Sequence, residues 1–270
     1  MGRIKTESFS SISTFRQCPR KYYYRYLQKA EEVPVEALER GKRVHEAIQK
    51  RDCKKGGEEV KFALATMGRS ARTPYKLADV QNLVHVQDKE PVVELVEERF
   101  ALSATWEPTH WEDDTAIFRG VVDYARVRID RAGLAERLRA GGGLLLEDLI
   151  SGVDLVDWKT GKARSERKQL TWYSLFFFAE YPSLQELTCQ NVYVTEAKKS
   201  PVWRVTRDRA PEIQAEIEGA LEQIRREDTW RERPTPLCNY CPHKATCLEE
   251  TGWGNSPQKE LLRRSESLPW

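Results

Sequence analysis

Leu155-Val156-Asp157-Trp158-Lys159-Thr160-Gly161-Lys162 places a carboxylate and an amine two residues apart behind an apolar run. In a β-strand the side chains of Asp157 and Lys159 share one face, while Trp158 turns to the other and leaves its backbone carbonyl beside the carboxylate. A second carboxylate, Asp123, closes another apolar run, Phe118-Arg119-Gly120-Val121-Val122-Asp123, and can meet the first from a neighbouring strand. Two hard oxygen ligands suit Mg or Mn, and a lysine beside them suits water activation or neutralisation of a phosphate. Taken alone, the tripeptide reads as an ordinary Asp/Lys pair on a surface strand. The rest of the chain decides between the two.

Upstream, Arg40-Gly41-Lys42-Arg43-Val44-His45 lies in a helical setting, and downstream Gln169 and Tyr173 are four residues apart. That spacing puts both on one helix face. The chain therefore presents Gly-x-x-x-His, Gly-x-x-Asp, Asp-x-Lys and Gln-x-x-x-Tyr in that order. This series resembles the RecB-like nucleases of the PD-(D/E)XK superfamily, over nearly the whole chain. The resemblance implies an α/β fold: a restriction-endonuclease-like core with a mixed central sheet flanked by helices. It implies a metal-dependent DNA exonuclease preferring single strands or DNA ends, working in repair, recombination or defence. His45, Asp123 and Asp157, with the Trp158 carbonyl, become the implied metal ligands, and Asp123, Asp157, Lys159, Gln169 and Tyr173 the implied catalytic set. One imidazole among hard oxygens shifts the preference from Mg toward Mn.

Six cysteines occur, three of them crowded as Cys238, Cys241 and Cys247, with Cys18 far upstream. Four thiolates can hold a 4Fe-4S cluster or a zinc ion, and His243 offers zinc a further ligand. Disulfides are the third possibility, but the polar, charged N-terminus does not look like a signal peptide, so a reducing, cytoplasmic setting is expected. One N-terminal cysteine with a C-terminal trio is similar to the pattern of CRISPR-associated adaptation exonucleases and AddB-type nuclease domains. That resemblance implies a 4Fe-4S cluster joining the two ends of the domain. Cys189, in an apolar run, reads as a small core residue, and Cys53, beside two lysines, as an exposed thiol of no function.

With 44 Lys plus Arg against 42 Asp plus Glu the net charge is only +2, so no DNA-binding claim rests on it. Local distribution carries more. Arg16, Arg20 and Lys21 alternate with Tyr22, Tyr23, Tyr24 and Tyr26, a composition fit for phosphates and stacked bases; the tyrosines can equally pack a helix onto the core. No apolar run approaches the ~18 residues of a membrane span. No Gly-x-x-x-x-Gly-Lys-Ser/Thr loop occurs, so no ATP site is expected, and unwinding would come from a partner protein.

The chain reads as one nuclease domain over residues 1–252 with a polar tail, 253–270. Helices are expected over 8–27, 35–50, 75–88, from about 165 onward, and 211–226. Strands are expected over the latter half of 92–102 and over 115–129, 187–195 and 202–206. Residues 51–59 read as a charged loop, and 130–152 as an insertion with a short helix near 131–140. Glu97 or Glu98 can face the site, although an exposed strand carboxylate is the ordinary reading. Glu147, Asp148 and Asp154 compete with Asp157 for the ligand role; Lys159 beside it favours Asp157. Two alternatives stand beside a free-standing exonuclease: an adaptation nuclease trimming DNA ends within a CRISPR complex, and a non-catalytic DNA-binding module of the same fold.

Overall fold

The computed structural model describes residues 6–32, 34, 36–67, 92–139 and 149–252. The helix expected over 75–88, together with Glu147, Asp148 and the tail beyond 252, lies outside them. The chain divides into two compact units, residues 1–39 with 218–270, and residues 40–217.

In the first unit the short strand β1 (Glu7–Ser8) leads into α1 (Phe9–Gln17), α2 (Pro19–Tyr22) and a π-helical turn at Tyr23–Leu27. Ser8 caps α1 reciprocally with Ser11. The single helix expected over 8–27 is broken at Cys18, whose backbone is extended (φ −161°, ψ 112°). Pro19 is the cause: its ring disfavours the helical region for the residue before it and removes an amide donor. Ile12, Phe15, Tyr22 and Tyr24 are buried, and Tyr22 stacks on Trp230 with ring centroids 5.6 Å apart. Two of the interleaved tyrosines are therefore core residues. A 3-10 turn, Pro236–Tyr240, carries Cys238, a helix at Lys244–Thr251 carries Cys247, and Cys241 lies between them; Gly252 in the left-handed region (φ 64°) ends the helix.

The second unit is a mixed sheet between helices. Its strands are β2 (Val92–Ser103), β3 (Pro108–Thr109), β4 (Ala116–Ile129), β5 (Ile150–Lys159), β6 (Glu186–Tyr193), β7 (Lys198–Lys199) and β8 (Trp203–Thr206). They run in the order β3-β2-β4-β5-β6-β7, with β8 also on β6. The β2–β4 and β4–β5 pairs are antiparallel and β5–β6 is parallel. A parallel neighbour needs a crossover. Helix Lys168–Glu180 supplies it, starting three residues later than the sequence suggested. Its Phe176 stacks on Phe118 and Phe100 at 5.5 and 5.4 Å.

Helix α3 (Glu36–Gln49) and helix α4 (Cys53–Met67) contribute Val44, Ile48, Val60 and Ala63 to a cluster that contains Tyr124 and Trp158. Residues 53–59 are thus the start of α4 rather than a loop. Asp52 accepts from the amides of Lys54 and Lys55 at 3.0 and 3.2 Å, and Gly57 (φ 56°) kinks the helix. Cys53 packs partly buried against this cluster instead of standing exposed, and Cys189 is fully buried. The insertion forms helix α5 (Arg131–Arg139).

Candidate active site

The site is built at the end of β5. Pairing of Tyr124 with Val156 brings Asp123, one residue further, level with Asp157. Alternation sends Trp158 into the cluster under α3 and α4, so its backbone stays in the site: Trp158 N donates to Asp123 Oδ2 at 2.8 Å. On the opposite face Lys159 Nζ lies 2.8 Å from Asp157 Oδ2 and donates to Gln169 Oε1 at 2.8 Å.

Both motif glycines are there for close approach. A methyl at Gly41 would lie 3.3 Å from Thr160 Oγ1, so its absence lets α3 come down on the end of β5. One turn on, His45 Nε2 sits 2.9 Å from the Trp158 carbonyl, and Nδ1 lies 3.3 Å from Glu97 Oε1 and 3.8 Å from Asp123 Oδ2. A methyl at Gly120 would strike the Tyr173 ring at 2.7 Å.

His45, Glu97 and Asp123 bring one ligand atom each within 4.8 Å of one another, the one such group among the described residues. Glu97 was the residue whose ordinary reading was an exposed carboxylate. It stands level with Asp123, between the pairs Val96–Tyr124 and Glu98–Val122, with φ at +52°. That left-handed backbone is uncommon for glutamate and costs on the order of 1–3 kcal/mol, a cost typical of functional sites. The pattern of β2 contains no sign of it. Asp154 is removed from contention: it takes both contacts from Arg128 (2.9 and 2.8 Å) and one from Thr188 (2.6 Å).

Electrostatics follow from crowding. Burial, then the neighbouring Asp157, pushes the Asp123 carboxyl up to about 8. Burial likewise raises Asp157, although Lys159 opposes it. For His45 burial favours the neutral ring, but Glu97, Asp123 and Asp157 outweigh it and lift the imidazolium to about 9. Burial also works against the Lys159 ammonium, and the Asp157 and Asp123 carboxylates more than offset it, so its pKa rises. The Tyr173 hydroxyl is raised by burial and by the same two aspartates. These donors fit a divalent cation: carboxylate and carbonyl oxygens with one imidazole, in a pocket where excess negative charge already draws in protons. Because His45 holds both ring protons against Glu97 and the Trp158 carbonyl, it must release one to become a ligand.

In the first unit Cys18, Cys238, Cys241 and Cys247 line one cavity. The Arg233 and Thr235 amides point at Cys18 and Cys238 sulfur (3.4 and 3.5 Å). Among the described residues no three thiols come within 4.8 Å of one another. Burial raises Cys241, and Cys247 to about 11. His243 is buried with Nε2 3.5 Å from Glu32. Of the basic trio, Arg20 is engaged by Glu250 and by Tyr24 (3.0 Å), and Lys21 by Gln17 at 3.1 Å.

A mixed sheet that presents an aspartate pair and a lysine beside a histidine–carboxylate cluster offers the donors that metal-dependent phosphodiester hydrolysis needs. Residues 6–248 match the PD-(D/E)XK nuclease superfamily, and the chain belongs to it. Its members are generally metal-dependent nucleases, which makes DNA the substrate class. No curated protein matches the chain. Among the described residues no helix is long and apolar enough to cross a membrane.

Proposed function

We propose that this chain is a RecB-like DNA exonuclease that works on single strands or DNA ends in repair, recombination or defence. The nuclease domain would span residues 1–252. The observation that carries this reading is the convergence of His45, Glu97 and Asp123 beside the Asp157–Lys159 pair. His45, Asp123, Asp157 and the Trp158 carbonyl would hold Mg or Mn, with Glu97 as a further oxygen donor. Bound there, a divalent cation supplies Lewis acidity toward a phosphoryl oxygen and a water of lowered pKa.

Lys159, fixed by Asp157 and Gln169, places a cation where it offsets charge gathering on the phosphate and orients water. Tyr173, held protonated, donates a hydrogen bond toward the substrate backbone beside Gln169. Arg16, Arg20 and Lys21 add phosphate contacts, Arg20 after release from Glu250.

The four-cysteine cavity takes a 4Fe-4S cluster in this proposal. The backbone amides of Arg233 and Thr235, aimed at Cys18 and Cys238 sulfur, suit thiolate ligands of such a group.

The test is digestion of end-labelled single- and double-stranded DNA, linear and circular, with Mg, Mn, Ca or EDTA. Shortening of linear strands from an end with Mg or Mn, absent with Ca or EDTA and absent in Asp157→Ala, is the expected result. Cleavage of closed single-stranded circles would replace the exonuclease reading with an endonuclease. Binding without cleavage under any metal would leave a non-catalytic module.

A further inference from the structure

A groove beside the active site lies open along the loop that leaves β5. Its lining includes Arg164, Arg167, Lys198, Lys199 and Trp203, with about 970 Å³ of empty space open to solvent. Four cations face a single carboxylate, Glu166, in a chain whose overall charge is nearly balanced. Lys198 is paired with Glu196 at 2.8 Å, and the Arg167 guanidinium lies 5.5 Å from the Trp203 ring centre.

The groove wall is held in place by the strand that carries the neighbouring register. Asn191, opposite Asp157, donates from its side-chain amide to the Glu166 carbonyl; Tyr193, opposite Lys159, donates its hydroxyl to the Arg164 carbonyl. Both are buried. The fixed loop brings Glu166 close enough for its charge to act on Asp157 and Lys159. The groove is thus continuous in chain and in field with the catalytic lysine. It is also where attraction is needed, because the carboxylate-rich centre repels a polyanion.

We propose that this groove is a strand-binding subsite, in which Arg164 and Lys199, both exposed, contact phosphates of the single DNA strand flanking the scissile bond. The proposal rests on the nuclease reading for its substrate class. Its chemistry is that of sequence-independent strand binding, cations placed along the phosphate backbone.

The test is fluorescence anisotropy of a fluorescein-labelled single-stranded oligonucleotide in calcium, over a series of salt concentrations. It compares wild type, Arg164→Ala/Lys199→Ala, and Arg204→Ala, an exposed arginine on β8 outside the groove lining. Each lost phosphate contact on a single strand lowers the salt slope by about 0.7, so the double variant should lose about 1.4 and bind roughly 25-fold more weakly at ~0.1 M salt. Arg204→Ala should keep the wild-type slope. A double variant with wild-type affinity and slope overturns the subsite, as does an equal loss in Arg204→Ala. Both variants alter exposed side chains, and matched melting curves confirm folding. If wild type cleaves no DNA with any metal, the nuclease reading fails while the slope still decides the groove; cleavage with an unchanged slope removes the groove alone.

Discussion

Replacing Gly120 by alanine tests how tightly the catalytic face is packed. The added methyl would sit 2.7 and 2.8 Å from two Tyr173 ring carbons and 3.0 Å from Phe176. Ordinary carbon contacts are about 3.5–4.0 Å, so the Tyr173 ring must retreat by roughly 0.8 Å. It has little room: Tyr173 and Phe176 are buried with centroids 5.3 Å apart, and Phe176 is already stacked between Phe118 and Phe100. Overpacking of this kind costs ~1–3 kcal/mol. Against it stands a gain of ~0.5–1 kcal/mol for removing a strand glycine. The balance is a loss of about 1–2 kcal/mol, or ~2–8 °C in Tm for a chain of this size. Calorimetry measures it directly, and a cycle with Tyr173→Ala separates the clash from other effects. The double variant should lose at least ~1 kcal/mol less than the two single losses combined, because the methyl then fills space the ring has left. A Gly120→Ala protein melting at or above wild type refutes the reasoning, since only the entropic gain would then be at work.

Asp157→Ala and Lys159→Ala should each abolish cleavage while changing DNA affinity much less, read by a gel digest beside anisotropy; wild-type-like turnover by either removes the site assignment. The folded protein holds extra protons on Asp123 (about 8 against an ordinary 3.8) and His45 (about 9 against 6.5), so metal-free stability should fall as pH rises from 6 to 9. Metal ligation must expel those protons, so the Tm increase caused by Mn should be larger at pH 8.5 than at pH 6, and an increase independent of pH contradicts it. Anaerobically purified protein should be brown and carry about four irons per chain; colourless protein with stoichiometric zinc means the other metal. Cys18→Ala should lower Tm as much as loss of Cys238, Cys241 or Cys247.

What could be read from the sequence was whatever depends on local period. An offset of two from Asp157 to Lys159 fixed a shared face, and an offset of four from Gln169 to Tyr173 put them on one helical side, because strand and helix geometry leave no other choice. The apolar strands and the amphipathic helices followed for the same reason. What escaped depended on backbone detail or on distant packing. The break at Cys18 was written in Pro19, but an unbroken run of aromatic and basic residues masked it. Residues 53–59 looked like a loop because their charges dominate; Val60 and Ala63, which anchor α4, lie just beyond.

Glu97 is the instructive case, one of two glutamates the sequence left able to face the site. Two adjacent glutamates, Glu97 and Glu98, sit in a strand where alternation sends neighbours to opposite faces, so one of them had to point somewhere useful or into water. Composition could not choose. The choice is made by a left-handed backbone at Glu97, which costs free energy locally and is sustained only by long antiparallel pairing on both sides of it. The same pairing that aims Glu97 also places it against His45, and that contact, together with the Asp123 and Asp157 charges, raises the imidazolium. Relaxing the backbone at Glu97 would have two opposed effects on ion binding: a lower His45 pKa would free the imidazole to ligate more readily, while withdrawal of the carboxylate would remove an oxygen donor from the acidic cluster.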